Sequence, residues 1–314
     1  SCFAYTGTGS NLDIDNGIDI LNKGGLTWFK RRDATSDHQL FDTERTGRYR
    51  LESNTTDVQA DEGGVVWTPL SDGGFRVNGD GGANIYNSSG HSYISWTLRK
   101  QTKFCKRYAG SGSGNWGVYH RSVGTSLGLT LQTTSAAGAM SINSETINST
   151  TFGVSTGGYA LDNNNGDSYV AYLFAHNNND GGFGSTGDQD IIKCGSYTGN
   201  GSSTGPEIDL GFEPQWLLIK ASGLSENWHI WDNIRGVTTG GDDSVLYPNA
   251  TTAESTGSNW LSFTSTGFQL SASFDQINKN SETYIYMAIR RGPMITPTAA
   301  TSVFDVQKYT GDGT

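Results

Sequence analysis

The sequence predicts an all-β protein of tandem antiparallel β-sandwich modules, jelly-roll in type, with little or no helix. Short aromatic or β-branched runs alternate with Gly, Asn and Ser turns, as all-β chains do. There are 43 Gly in 314 residues, yet 8 Trp, 14 Tyr and 13 Phe supply enough apolar area for packed cores. One string of aromatic, Asp, Arg and Gly signposts recurs along the chain, the mark of a repeat architecture.

The opening and closing thirds align. Tyr5-Thr6-Gly7-Thr8-Gly9-Ser10 recurs at Tyr197 to Ser202, an offset of 192. Trp28-Phe29-Lys30 aligns with the Trp216 strand at offset 188, and Phe41-Asp42 with Arg45 aligns with Trp231-Asp232 and Arg235 at 190. Leu51 to Asn54 matches Leu246 to Asn249, Gly74-Phe75 matches Gly267-Phe268, and Tyr93 to Trp96 matches Tyr284 to Met287. The small drift is what loop-length changes between equivalent strands give.

A middle copy is shorter. Asn115-Trp116 to His120 aligns with Asn227-Trp228 to Asp232, Leu129 to Ala137 with Leu246 to Glu254, and Tyr169 to Tyr172 with Tyr284 to Met287. About 23 residues are lacking between Tyr108 and Trp116, among them the counterpart of the Trp216–Lys220 strand. Either this module lost a strand or a segment is missing from the sequence; the unpaired edge left behind favours the second reading. The expected boundaries are 1–103, a shortened 104–190, and 191–297, with 298–314 as linker and first strand of a further module. The ending on Tyr309-Thr310-Gly311 supports a trimmed segment of something longer.

Within one module, Leu217-Leu218-Ile219 and Tyr284 to Ile289 are apolar runs suited to central strands buried on both faces. Leu261 to Thr264 and Phe268 to Ser271 alternate like half-buried strands, and Ser265-Thr266-Gly267 suits the hairpin between them. Each module should hold roughly seven or eight strands. Cys2, Cys105 and Cys194 each stand three residues before the Tyr that opens a copy. Their separation by whole modules makes them free apolar residues on first strands rather than disulfide partners or zinc ligands.

The formal net charge of −10 argues against nucleic acid as partner. No apolar run reaches membrane-spanning length. The five histidines share no metal-ligand spacing, and Asp162 to Asp167 fails the EF-hand pattern, so no metal or cofactor is expected. Asn177 to Gly182 is expected to be a linker. Four carboxylate pairs, Asp13/Asp15, Asp42/Glu44, Asp61/Glu62 and Asp242/Asp243, could in principle serve glycoside hydrolysis. None recurs across copies, and no enzyme activity is expected.

The sharpest motif is aromatic-Asp-x-x-Arg, at Asp42/Arg45 and Asp232/Arg235, with Tyr119-His120 in the middle copy. It reads as a structural pair fixing a strand-to-loop corner. The functional alternative is a sugar site in which Trp228 or Trp231 stacks and Asp232 and Arg235 hydrogen-bond.

Taken together, Tyr197 to Ser202, Gly211 to Lys220, Trp231-Asp232 with Arg235-Gly236, and Tyr284 to Met294 resemble the repeat modules of tail proteins from marine, cyanophage-like bacteriophages. Tyr93 to Lys100 and Tyr169 to His176 resemble the closing strands of neighbouring modules. The resemblance implies lectin-like, concanavalin-type sandwiches in a virion tail fibre or appendage, on the extracellular particle surface. It implies assembly with other virion proteins, self-association into a homo-oligomer such as a trimer, and adhesion to host-surface glycan. A secreted cellular lectin or adhesin, or a polysaccharide depolymerase, are the alternatives.

Overall fold

A computed structural model of the chain describes residues 1–79, 85–99, 114–139, 142–143, 153–154, 169–179, 187–237 and 239–292. Among these the only helix, α1 (Asp275–Asn278), is a single turn. The rest is strand, turn and loop, and every strand pair is antiparallel.

The first third holds β1 (Cys2–Thr6), β2 (Leu12–Ile14), β3 (Gly25–Arg31), β4 (Gln39–Asp42), β5 (Tyr49–Glu52), β6 (Ala60–Asp61), β7 (Trp67–Pro69), β8 (Phe75–Val77) and β9 (Ser92–Arg99). They make a sheet of order β1-β9-β3-β4-β5-β6 and a second of order β2-β8-β7. Ile14, Phe29, Phe41, Trp67, Phe75 and Val77 come from both sheets and share one buried cluster, which makes the pair a sandwich.

The middle stretch holds β10 (Gly117–Val118), β11 (Leu127–Thr130) and β12 (Gly138–Ala139) in one sheet, and the two-residue pair β13 (Ile142–Asn143) and β14 (Gly153–Val154). The last third holds β15 (Ile192–Thr198), β16 (Glu207–Asp209), β17 (Pro214–Ala221), β18 (His229–Asp232), β19 (Leu261–Phe263), β20 (Gly267–Leu270) and β21 (Thr283–Arg290). Its sheets run β15-β21-β17-β18 and β16-β20-β19, around a core that includes Ile208, Leu217, Ile219, Trp231, Phe268 and Tyr284. The two end modules thus share one strand plan: first strand beside closing strand, closing strand beside the long central strand, with a three-stranded sheet across the core.

Pairing corrects one alignment. Trp28 lies opposite Trp96, and Leu218 lies opposite Met287. The counterpart of Trp28 is therefore Leu218, and that of Leu26 is Trp216. Matching Trp to Trp slipped the register by two, a shift that keeps the same face and so leaves the hydrophobic pattern unchanged. On the corrected register Lys30 and Lys220 coincide. Both are buried, and each donates from Nζ to the next residue's carbonyl, Arg31 at 3.0 Å and Ala221 at 2.8 Å. Burial lowers both amines to about 8.

The long apolar runs have a second cause beyond the sandwich cores. Leu217 and Ile219 face the core of the third module, whereas Trp216 and Leu218 join another cluster. That cluster gathers Trp28, Leu40 and Trp96 from the first module and Ile192, Cys194, Ile230 and Ile289 from the third. Trp116, Leu131, Val170, Tyr172 and Phe174 of the middle module pack against it. Each large sheet is covered on one face by its own sandwich and on the other by its neighbours, so its strands carry apolar residues continuously.

Tyr169 to His176, expected as a closing strand, pairs with no strand among the described residues. In both complete modules the closing strand lies between the first strand and the central strand, and among the described residues of the middle copy no central strand is present. Asn177, expected to begin a linker, is buried; its Oδ1 accepts the backbone N–H groups of Ile191 and Ile192, each at 3.1 Å, and so anchors the start of β15. Cys2 on β1 and Cys194 on β15 are free thiols as expected, and burial pushes Cys194 up to about 12. Cys105, Asp162 to Asp167 and 298–314 lie outside the described residues.

Equivalent hairpins depend on equivalent glycines. A Cβ on Gly267 would sit 1.9 Å from the Ile208 carbonyl oxygen, and one on Gly74 (φ 104°) 2.0 Å from that of Ile14. Gly267→Ala is expected to cost about 1–3 kcal/mol by forcing β16 from β20. Gly64→Ala, with nothing near its Cβ, should be close to neutral. Urea unfolding of the two variants checks the difference.

Candidate functional site

The Asp-x-x-Arg motif forms a compact elbow at the end of a strand. Asp232 Oδ1 accepts the backbone N–H groups of Ile234 and Arg235 at 3.1 and 3.0 Å, and its Oδ2 accepts Arg235 Nε at 2.6 Å. Arg235 Nη2 returns to the Ile230 carbonyl at 2.9 Å. The Asp42 elbow repeats every bond: Asp42 accepts from the Glu44 and Arg45 N–H groups and from Arg45 Nε, and Arg45 Nη2 donates to the Leu40 carbonyl. The carboxylate turns the chain as an Asx residue does, and the guanidinium neutralises it in place. The corner reading of the motif describes this geometry.

The elbow also reaches beyond its own module. Trp96 Nε1 of the first module donates to Asp232 Oδ2 of the third at 2.8 Å, with the Arg235 guanidinium 5.6 Å from the Trp96 ring. Tyr172 of the middle module donates its O–H to Asp42 Oδ2 of the first at 2.8 Å. Trp96 and Tyr172 occupy the same position of their repeats. At the third elbow, His120 Nδ1 accepts the Ser122 N–H at 3.2 Å, taking the turn role of Asp Oδ1. Its Nε2 lies 3.0 Å from the Tyr286 carbonyl of the third module. The three links therefore run first to third, middle to first, and third to middle, and close a cycle.

Other bonds follow the same cycle. Trp116 Nε1 donates to the Glu52 carbonyl at 2.8 Å, and its counterpart Trp228 donates to the Thr130 carbonyl at 3.1 Å. The acceptors are themselves equivalent positions. The third instance is looser: His38 stands where Trp116 and Trp228 stand and interacts with the Tyr247 backbone, but its Nε2 has no well-formed hydrogen bond. The backbone repeats the pattern, with Ser36 N–H to Thr251 O and Gly114 N–H to Thr56 O, each across a junction. Glu254 N–H to Arg32 O and Ala137 N–H to Ser222 O form a further equivalent pair. Contacts that repeat around a closed cycle are those of a heterologous interface whose rotation closes, here within one chain.

The junction of first and third modules is the most polar. Glu254 accepts both Nε and Nη2 of Arg32, at 3.0 and 2.7 Å, and Arg235 Nη1 at 3.0 Å. Burial works to lower the Arg235 pKa, but Asp232 and Glu254 outweigh it and hold the guanidinium above its ordinary value. In the first module Gln59 stands at the Glu254 position; among the described residues its buried Oε1 and the buried Arg45 Nη1 have no hydrogen-bond partner. The first module thus lacks the second carboxylate to which its Arg would donate.

These placements decide the geometry of the candidate sugar-binding residues. Trp228, Trp231, Asp232 and Arg235 are all buried. Trp228 is roofed by Leu129 and Thr130 of the middle module, and Trp231 stacks on His229 at 5.4 Å inside its own sandwich. None offers an open ring face on which a sugar could stack. The carboxylate candidates also have structural partners: Asp13 with Arg76, Asp61 with Arg48, Glu62 with Arg50, and Asp42 with Arg45. Asp243 is buried and accepts the Trp260 and Leu261 N–H groups at 2.7 and 3.0 Å. No group of three or more His, Cys, Asp or Glu among the described residues could hold a metal ion.

Sequence reasoning passed over Trp96, Tyr172 and Glu254 as functional positions. Trp96 and Tyr172 stand in the same column of the repeat as Met287, but module by module that column (Trp96, Tyr172, Met287) does not change in step with the elbow (Asp42, His120, Asp232); the match emerges only across the junctions.

The family model described as a domain of unknown function, DUF7483, matches residues 1–111 and 104–293, and the chain belongs to that family. No curated protein and no solved structure matches it.

Proposed function

We propose that this DUF7483 member is a virion structural protein, a component of a phage tail fibre or tail appendage that works by assembly and by adhesion to a host surface or its glycans. The resemblance of its repeats to marine phage tail modules supports the phage context. The observation that carries the structural role is the cycle of junctions: the elbow carboxylates Asp42 and Asp232, each held by its own Arg, accept a donor from the neighbouring module. Binding then falls to the outer loops, where several weak contacts on one rigid body gain by multivalency. Self-association and contacts with other virion proteins use that same outer surface, because the junction faces are occupied within the chain.

Mass spectrometry of purified particles tests the assignment. Peptides of this chain should appear at the abundance of structural proteins and resist removal by washing in high salt. Particles that lack the chain would exclude a virion role. Binding of the purified chain to host cells tests adhesion separately, and a chain present in particles but indifferent to cells serves assembly alone.

A further inference from the structure

The three junctions share one elbow position and one closing-strand position, yet they use them with opposite polarity. At Asp232 and Asp42 the outward atom of the elbow is a carboxylate oxygen, and the neighbouring module supplies an N–H from Trp96 or an O–H from Tyr172. At His120 the Ser122 N–H occupies Nδ1, which leaves the proton on Nε2, facing the Tyr286 carbonyl. The elbow is now the donor and the neighbour the acceptor. Met287, the counterpart of Trp96 and Tyr172, has no N–H or O–H on its side chain. Val123 stands where Arg45 and Arg235 stand, so the counter-charge is lost together with the carboxylate.

We propose that the elbow and the fourth residue of the closing segment form a polarity-matched recognition pair that decides which module packs behind which. The surface fits another module of the same family with the complementary member of the pair. An Asp elbow takes a neighbour whose closing segment carries a donor at that position. A His elbow takes a neighbour that carries none, and donates to a backbone carbonyl of that neighbour's closing strand.

Mismatches are penalised from both sides. An Asp elbow against Met287 leaves a buried carboxylate oxygen without its external donor. A His120-type Nε2–H against the Trp96 indole sets donor against donor. The first strips the carboxylate oxygen of one of its two donors and the second leaves a buried N–H unsatisfied, and discrimination between partners needs such penalties as well as attractive contacts. The pairing explains why the substitution at the elbow, the loss of the Arg and the change from Trp or Tyr to Met occur at one junction together. It holds whether or not the chain belongs to a virion.

Two double-mutant cycles on the full chain test it, read as the midpoint of urea unfolding. Tyr172→Phe deletes one oxygen and should lower the midpoint. In an Asp42→His background the same change should leave the midpoint unchanged or raise it. In the second cycle His120→Asp should lower the midpoint, and Val123→Arg with Met287→Trp added should recover at least half the loss. If His120→Asp yields no soluble protein, recovery of soluble, cooperatively unfolding protein by the triple change carries the same weight. A Tyr172→Phe midpoint equal to the parent's, or effects that add within each cycle without coupling, would overturn the proposal.

Discussion

Asp232→Ala is expected to destabilise the chain by about 3–5 kcal/mol, the usual cost of removing one partner from a buried ion pair. Asp232 is fully buried and its two oxygens hold four donors: two backbone N–H groups, Arg235 Nε and Trp96 Nε1. Alanine leaves the turn uncapped, the guanidinium short of a counter-charge, and an indole N–H of another module facing apolar side chains. Glu254 remains beside Arg235, which keeps the loss from being larger. Asp61→Ala is the control, because the Arg48–Asp61 pair is exposed and pairs of that kind contribute little. Urea unfolding should separate the two variants clearly. An Asp232→Ala chain that unfolds with the Asp61→Ala chain would mean that the elbow does not hold the junction.

The sandwich plan was legible because its signals are local. Ser265-Thr266-Gly267 turns where a hairpin must turn, and Leu261 to Phe263 and Phe268 to Leu270 alternate as paired half-buried strands do. The recurrence of Tyr, Asp, Arg and Gly showed that the plan is repeated. The junctions were not legible, because their contacts join residues far apart in sequence: Trp96 and Asp232 are 136 positions apart. The run from Tyr284 to Ile289 announced two buried faces and could not say what covers the second. Trp228 shows the same ambiguity in one residue. A wide apolar ring with a single N–H suits a sugar platform and a buried joint equally, and only the Thr130 carbonyl opposite it decides. Lys30 and Lys220 escaped notice because a Lys at a strand end is ordinarily solvated, whereas here backbone carbonyls enclose each amine.

Acid should destabilise the chain before its carboxylates are protonated, and the buried histidines are the reason, His229 among them. The His229 ring is fully buried, stacked on Trp231 and edged by Tyr247; among the described residues its Nδ1 makes no well-formed hydrogen bond, and the Asn227 backbone interaction only partly offsets the burial. Burial, aided by the charge of Lys220, lowers it to about 3. The unfolded chain has a His pKa of about 6.5, so the folded value is the lower of the two. The contribution is therefore complete above about pH 6.5 and is lost as pH falls towards 3, at up to ~1.4 kcal/mol per pH unit for one group. Burial likewise takes His38 well below its ordinary value and lowers His120, so the slope steepens by their shares. Asp33, by contrast, is itself held below the usual carboxylate value, and its contribution is lost only below about pH 4. His229→Phe keeps a ring against Trp231 and removes the titration. Urea midpoints measured from pH 7.5 to 4 should fall less steeply in this variant than in the parent. An unchanged slope would show that the His229 ring takes up its proton without cost, which a dry, stacked imidazole cannot do.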